Sequence, residues 1–193
     1  MKKNLKYVIL GVFMIALVVG FYFYISNKRT IDDVDESTTK PSAVQKLINR
    51  NLDEDCPPTP KEVCKFYADI TTAFYTKEYT DEEFEQMAMK MRDLFDDELK
   101  AANPKEYYVS SLKQEITDFK GKGYMISSYA TSAATDVDFF KDDGFEFARL
   151  NITFTVRAGS NIGLSKEIFL LRRDEAGHYK IYGWKVVPAQ EEE

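Results

Sequence analysis

The feature that most constrains this chain is an uncharged run of nineteen residues near its N-terminus, from Tyr7 to Ile25. A helix rising about 1.5 Å per residue over this run would be roughly 28 Å long, close to the thickness of the hydrocarbon layer of a membrane. Basic residues flank the run and aromatic residues stand at both of its ends, as is common in membrane-spanning segments. The pattern predicts a single transmembrane helix over residues 7–25.

A cleaved signal peptide and a buried core helix are the two alternatives for this run. Signal peptides usually have a shorter apolar core, of about 7 to 15 residues, followed by small residues at the cleavage site. Here the run closes with aromatic residues at 21–24. Three lysines precede it, which favours a cytoplasmic N-terminus under the positive-inside rule. The sequence therefore predicts a single-pass protein of the cell membrane, with residues 1–6 in the cytoplasm and the main domain extracytoplasmic.

The charge of the remaining chain limits its partners. All 32 acidic residues follow Arg29, together with 21 of the 26 basic ones, which leaves this part with a net charge of −11. Nucleic-acid binding needs a basic surface, so the sequence predicts no nucleic-acid partner. Residues 26–42 are polar and acidic, which predicts a flexible linker, and residues 189–193 predict a disordered tail. The interval 43–188 is long enough for one domain.

Helix signals occupy the first half of this domain. Residues 59–62 and 80–83 each follow the capping-box pattern of threonine and a glutamate three positions later. The apolar spacing after the second box predicts a helix that continues to Leu99. The pair Asn103-Pro104 begins a third helix, and glycines at 121 and 123 end it. Each of the three helices carries one apolar face that needs a surface to cover.

The second half of the domain reads as β-strands. Residues 124–137 predict one long strand, and residues 142–144 form a hairpin signal. Apolar and polar residues alternate strictly over residues 148–156, and two further strands are predicted over residues 164–173 and 179–187. The predicted fold class is α+β: an N-terminal transmembrane helix, then three helices packed on a four-stranded antiparallel meander.

This order of elements resembles the nuclear-transport-factor-2-like, or cystatin-like, α+β cone. Residues 169–184 are similar to the closing hairpin of such domains. Residues 59–63 and 94–99 resemble parts of a membrane-anchored family of Gram-positive bacteria. The resemblance implies a cone whose interior is the usual place for a ligand. In outline the layout also resembles assembly subunits of type IV secretion and conjugation machines.

The two cysteines, Cys56 and Cys64, are eight positions apart. Outside the cytoplasm such a pair could form a disulfide, and two independent thiols are the alternative. Two sulfur atoms without histidines or a second cysteine pair do not predict a metal site.

Catalytic motifs are absent from the sequence. His178, the single histidine, lies beside a turn glycine and has no identifiable partner for general-base catalysis. Neither a nucleophile elbow nor a phosphate-binding loop occurs. The acidic stretch 136–144 lacks the ligand spacing of a calcium loop. The sequence therefore predicts no enzyme, no cofactor and no metal.

Aromatic residues are the remaining candidates for a site. The 14 phenylalanines and 12 tyrosines could line a cavity between the first helix and the sheet, and a filled core is the alternative. Trp184 is expected beneath the first helix, on the same strand face as Tyr182 because strand side chains alternate with period two. The predicted pocket residues are Tyr67, Phe74, Phe154, Tyr182 and Trp184.

The sequence as a whole predicts a membrane-tethered extracytoplasmic domain that binds a protein partner or serves in an assembly, without catalytic activity. An envelope complex of the secretion or conjugation type is the predicted setting. The alternative is an enzyme or carrier that uses the interior of the cone for a small hydrophobic ligand.

Overall fold

The computed structural model describes residues 41–188. Helices come first and strands follow, which is the order that the sequence predicts. The helices are α1 (Ala43–Ile48), α2 (Pro60–Thr76), α3 (Asp81–Asp93), α4 (Asp97–Ala102) and α5 (Lys105–Gly121). The strands are β1 (Tyr124–Thr131), β2 (Asp138–Asp142), β3 (Phe145–Ala158), β4 (Asn161–Arg173) and β5 (Tyr179–Val187).

Both predicted capping signals are confirmed. The Thr59 hydroxyl accepts a hydrogen bond from the Glu62 amide at 3.2 Å, and Pro60 occupies the first turn, where a missing N–H costs nothing. At α3 the exchange is reciprocal: the Glu83 amide donates to the Thr80 hydroxyl at 3.2 Å, and the Thr80 amide donates to the Glu83 carboxylate at 3.0 Å. Local sequence alone therefore fixes where these two helices begin.

The second predicted helix ends earlier than its apolar spacing suggests. Instead of continuing to Leu99, α3 ends at Asp93, and the chain then lies beside β5. The Ile181 amide donates to the Leu94 carbonyl at 2.8 Å, and the Asp96 amide donates to the Ile181 carbonyl at 2.9 Å. These backbone bonds replace helical ones, and Asp96 then caps the short helix α4.

The sheet is antiparallel, and its strands lie in the order β1, β3, β4, β5. The long strand β3 pairs with β1 through its C-terminal half and with β2 through its N-terminal half. The strand predicted over residues 124–137 ends at Thr131, a 3₁₀ turn follows at Ala134–Asp136, and the additional strand β2, which the sequence does not predict, begins at Asp138. The Asn151 carbonyl accepts from the Ser132 amide at 3.0 Å, and this bond closes the ladder just before the turn. The sheet therefore has five strands.

The helices cover one face of the sheet. At the centre of the sheet the inner-face side chains are fully or almost fully buried, whereas most of those on the outer face are half-buried or exposed. The buried inner-face residues are Ala148, Leu150, Ile152, Phe154, Phe169, Leu171 and Ile181. Phe74 of α2 and Met87 of α3 complete the core against them. The described domain is therefore an α+β fold with its helices on one side of an antiparallel sheet.

The predicted fold class needs correction in its membrane part as well as in its number of helices and strands. Between residues 41 and 188, no helix combines the length and the apolar composition that a bilayer crossing requires. The predicted span, Tyr7 to Ile25, lies outside the described residues. The predicted single-pass location, with its cytoplasmic N-terminus and extracytoplasmic domain, therefore has no support in the structure.

Candidate functional site

A cavity of about 250 Å³ lies between two helices and the inner face of the sheet. Helix α2 forms one wall, α5 forms a second, and β4 and β5 form the floor. The lining comprises aromatic and aliphatic side chains, a few hydroxyl and amide groups, and two carboxyls. The residues are Tyr67, Thr71, Phe74, Tyr75, Met91, Asn103, Tyr108, Ser111, Leu112, Glu115, Ile116, Ile126, Glu167 and Trp184.

The cavity exists because the helices cover the inner face unevenly. Helix α2 packs mainly over β1, at the opposite side of the sheet from β5. On β5 the inner-face side chain of Trp184 therefore keeps 40% of its surface exposed, while Phe154 on β3 keeps 1%. The space under the edge of α2 remains partly open toward β5.

Stacked rings make the floor of the cavity rigid. The Trp184 ring stacks on Phe169 at 5.7 Å between centroids and 13° between planes. Tyr67 contacts both rings, at 5.6 Å from Trp184 and 5.1 Å from Phe169. Phe95 also contacts Trp184, with 5.8 Å between the ring centroids. Because each ring is held by at least one other, this aromatic surface is formed in the absence of a ligand.

Two phenol groups in the cavity lack partners. Tyr67 is 8% exposed and Tyr108 is 9% exposed, and both line the cavity. Within residues 41–188, neither hydroxyl makes a hydrogen bond, and neither oxygen is fully enclosed; in this part of the chain the buried side-chain polar atoms without a partner are the Thr72 hydroxyl and Oδ2 of Asp96. Burial raises the pKa of both phenols, and Tyr108, Glu167 and Glu115 add to the rise for Tyr67. Both phenols therefore stay protonated and can donate a hydrogen bond into the cavity.

Glu167 is the second unusual group. It lies on the inner face of β4, opposite Ile152 of β3. Burial raises the pKa of its carboxyl to about 7, and repulsion from Glu115 adds to the rise. Glu115 belongs to α5 and is exposed at the rim of the cavity. The cavity thus holds two carboxyls, and its lining includes no lysine, arginine or histidine.

Three of the five predicted pocket residues line this cavity: Tyr67, Phe74 and Trp184. The prediction for Phe154 needs correction, because α2 covers that part of the sheet and the ring is fully buried, 6.4 Å from Tyr129. The prediction for Tyr182 also needs correction, because its ring lies on the outer face, 5.7 Å from Phe147.

A β-bulge explains the position of Tyr182. Leu170 pairs with Gly183 and Leu171 pairs with Ile181, so Tyr182 is an extra residue of β5 without a partner in β4. The bulge interrupts the period-two alternation on which the sequence prediction relied. Ile181 and Trp184 therefore share the inner face, and Tyr182 points to the other side.

The two cysteines are both unbonded in the structure, so of the two alternatives left open by the sequence, a disulfide or two independent thiols, the structure has the independent thiols. Cys64 lies on the buried face of α2, where desolvation raises the pKa of its thiol well above the ordinary value. Cys56 is half-buried before the two prolines at 57–58, and its sulfur lies 4.0 Å from the Pro57 carbonyl. Cys64 therefore behaves as a small apolar core residue.

A wider, open groove crosses the outer side of the molecule, lined by residues of the β2–β3 and β4–β5 turns. Five basic residues line it: Lys100, Lys141, Arg172, Arg173 and Lys180. Arg172 lies between the rings of Phe145 and Tyr182, 4.8 Å from each centroid, and its guanidinium contacts Asp96 and Glu98 at 2.6 Å each. Lys141 and Arg173 both pair with Glu146, so three of the five cations are already paired with carboxylates.

The other sequence candidates do not come together. His178 lies in the exposed β4–β5 turn, with its Nδ1 3.9 Å from the Asp174 carboxylate. Among residues 41–188, no three histidine, cysteine, aspartate or glutamate side chains are grouped as metal ligands would be.

Glu167, Glu115 and the hydroxyl of Tyr108 are site groups that sequence analysis missed. One signal was available for Glu167: it stands two and four positions before Phe169 and Leu171, which places a carboxyl on the strand face that those two residues bury. No comparable signal distinguished Glu115 from the many other acidic residues.

The fold and the cavity define a class of protein: an α+β domain with a partly polar cavity between its helices and its sheet. A family model described as a domain of unknown function (DUF6715) matches residues 1–184. The match covers nearly the whole chain, which therefore belongs to this family. No curated protein matches the sequence. The resemblance to nuclear-transport-factor-2-like domains stays a prediction.

Proposed function

We propose that this domain binds a small molecule in the cavity between α2, α5 and the sheet, and that it does so without catalysing a reaction. The observation that carries the proposal is the cavity itself, into which the Tyr67 and Tyr108 hydroxyls are free to donate because they make no hydrogen bond within residues 41–188. A ligand that accepts a hydrogen bond from either phenol gains roughly 0.5–1.5 kcal/mol of affinity.

The shape of the cavity supports the same conclusion. A concave site with aromatic walls and a few convergent polar groups is typical of small-molecule binding. At about 250 Å³ the cavity is smaller than sites for drug-sized ligands, which start near 300 Å³. Its volume equals that of roughly eight water molecules at about 30 Å³ each, so the proposed ligand is small.

Ligand binding can be tested with a fragment library of small amines, alcohols, acids and aromatic compounds. Ligand-observed NMR on the full-length chain would detect binding, and the emission of Trp184, the single tryptophan, would report occupancy of the cavity. We expect Ser111→Phe, which places a ring at the cavity, to abolish binding.

Ser110→Phe is the matched control, because Ser110 is the neighbouring residue of α5 and does not line the cavity. Circular dichroism would establish that both variants fold. Equal binding to wild type and Ser111→Phe would contradict the proposal.

A second candidate function is proton transfer on a carbonyl compound. The carboxyl of Glu167 has a pKa of about 7, suited to a general base, and the two phenols could stabilise a developing oxyanion. Non-catalytic binding is favoured because no hydrogen bond within residues 41–188 orients Glu167.

Deuterium exchange at the carbon beside the carbonyl of cyclohexanone, followed by NMR, separates the two functions. Faster exchange with wild type than with Glu167→Gln would support the enzyme. Identical rates would support simple binding.

A further inference from the structure

The charges around the cavity point to the class of its ligand. Glu115 and Glu167 contribute two carboxyls, and none of the fourteen lining residues is basic. An anionic ligand would meet repulsion from both carboxyls and find no cation to pair with. A cationic ligand would find two acceptors for its hydrogen bonds.

The aromatic lining favours the same class. The side chains of Tyr67, Tyr75, Tyr108 and Trp184 line the cavity together with the two carboxyls. The faces of such rings attract ammonium groups, by about 0.5–1 kcal/mol at exposed sites and about 2 kcal/mol when desolvated. Phe74, Met91 and Leu112 supply apolar surface for the body of the ligand.

We propose that the cavity binds a small protonated amine, with its ammonium group between Glu115 and Glu167 and its apolar part against Phe74 and Trp184. This inference rests on the proposed function, because it names the ligand class of the same cavity. Carboxylate acceptors and aromatic faces together distinguish an amine from a neutral molecule of equal size.

Binding of a cation changes the protonation of Glu167. Without a ligand, burial and repulsion from Glu115 raise the pKa of this carboxyl to about 7, so it is partly protonated near neutral pH. An ammonium group beside it favours the ionised form, so the bound state carries fewer protons. At pH 7 binding therefore releases a fraction of a proton, and affinity falls as the pH decreases because protons then compete with the amine.

The remaining titratable groups near Glu167 do not reverse this pH dependence of the affinity. Tyr67 of α2 is close enough to Glu167 for the carboxylate to add to the rise of its pKa. Tyr75 of α2 and Tyr108 of α5 line the same cavity, and burial raises the pKa of both phenols, to about 12 for Tyr75. Arg92 of α3 opposes the rise at Tyr108. Glu115 is the one neighbouring group whose charge adds to that of Glu167.

Three probes of similar size test the inference: benzylamine, its neutral isostere benzyl alcohol, and the anion benzoate. Isothermal titration calorimetry on the full-length chain would give their affinities at pH 7, and buffers of different ionisation enthalpy would give the protons released. We expect benzylamine to bind at least about tenfold more tightly than benzyl alcohol, a difference of 1.4 kcal/mol. Benzoate is expected not to bind.

Substitutions locate the effect at the carboxyls. Glu167→Gln should weaken benzylamine binding about tenfold and remove the proton release. Glu106→Gln is the matched control, because Glu106 is an exposed residue of α5 that does not line the cavity.

The outcomes separate this inference from the proposed function. If benzyl alcohol binds as tightly as benzylamine and Ser111→Phe abolishes both, the cavity is a ligand site but the amine inference is wrong. If benzylamine does not bind, the inference is overturned. If, in addition, no compound of the fragment library binds, the proposed function fails too.

Discussion

Two poorly hydrated carboxyl groups, those of Asp96 and Glu167, differ in whether the fold supplies a cationic partner. Asp96 is 5% exposed, and its Oδ1 accepts from the Leu99 amide at 2.8 Å as the cap of α4. Its Oδ2 accepts no hydrogen bond of good geometry but lies 2.6 Å from Nη2 of Arg172. Glu167 has no cation beside it within residues 41–188, and the neighbouring charge that raises its pKa is that of Glu115.

The difference separates an acid with a structural role from one that can receive a ligand. A desolvated carboxylate needs a partner, and without one it takes up a proton. Asp96 has its partner within the fold, so it fixes the position of α4 against β5. Glu167 has no such partner, so its carboxyl takes up a proton more readily and is available to bind a ligand.

The largest effect is expected from removal of the cation that compensates Asp96. Arg172→Met keeps most of the side-chain volume but leaves a buried carboxylate unpaired, which should lower the free energy of unfolding by about 3 kcal/mol or more. Urea denaturation would measure it. Arg173→Met is the matched control, because the adjacent Arg173 pairs with Glu146 in an exposed position and should matter little. Equal losses of stability for both variants would show that Arg172 does not stabilise the fold through its pairing with Asp96.

Glu167→Gln should act in the opposite direction. The folded protein holds the Glu167 pKa at about 7, above its ordinary 4.5, so ionisation above pH 4.5 favours the unfolded chain. Removal of the carboxyl should therefore raise the free energy of unfolding by about 2 kcal/mol at pH 8, since solvent around the partly exposed group weakens the effect. At pH 4.5 the free energy of unfolding should hardly change. Urea denaturation at the two pH values would check this. A gain of the same size at both values would show that Glu167 is not held neutral by its surroundings.

A smaller loss is expected for Asp96→Asn. An asparagine side chain can still cap α4, and Arg172 retains Glu98 at 2.6 Å, so the cost should be about 1 kcal/mol. Thermal unfolding of wild type and variant would measure the difference. A loss as large as that of Arg172→Met would mean that Glu98 does not support the arginine.

The smallest effect concerns the repulsion between the two cavity carboxyls. Glu115→Gln should lower the pKa of Glu167, and by less than burial raises it, because burial is the larger cause. A ¹³C NMR titration of the Glu167 carboxyl would detect this shift. An unchanged midpoint would show that the Glu115 charge is screened by solvent at the rim.

Local signals made much of the fold predictable. The caps at Thr59 and Thr80 and the hairpin turn at residues 142–144 depend on neighbouring residues, and each forms as expected. The end of α3 at Asp93 and the split between β1 and β2 depend on backbone bonds to Ile181 and Asn151, which are distant in sequence. Long-range backbone bonds of this kind leave no pattern in the local sequence of the segments whose ends they determine.

The site was less predictable than the fold. Tyr67, Phe74 and Trp184 could be chosen because aromatic residues on an inner face commonly line a cavity. The role of Glu167 depends on the absence of a cation around it, and the positions of all its neighbours decide this. Tyr182 was misplaced because one unpaired residue reverses the alternation on which the choice rested.

The bulge at Tyr182 has a consequence for how this hairpin can change in length during evolution. Ile181 and Trp184 are three positions apart, an odd number, and two such residues can share a strand face only if one residue between them is left out of the ladder. Loss of Tyr182 by deletion of a single codon would give a regular ladder with Trp184 still over Phe169. The same deletion would remove one of the two rings that enclose Arg172. The cavity and the ion pair of Asp96 can therefore be altered separately within one strand.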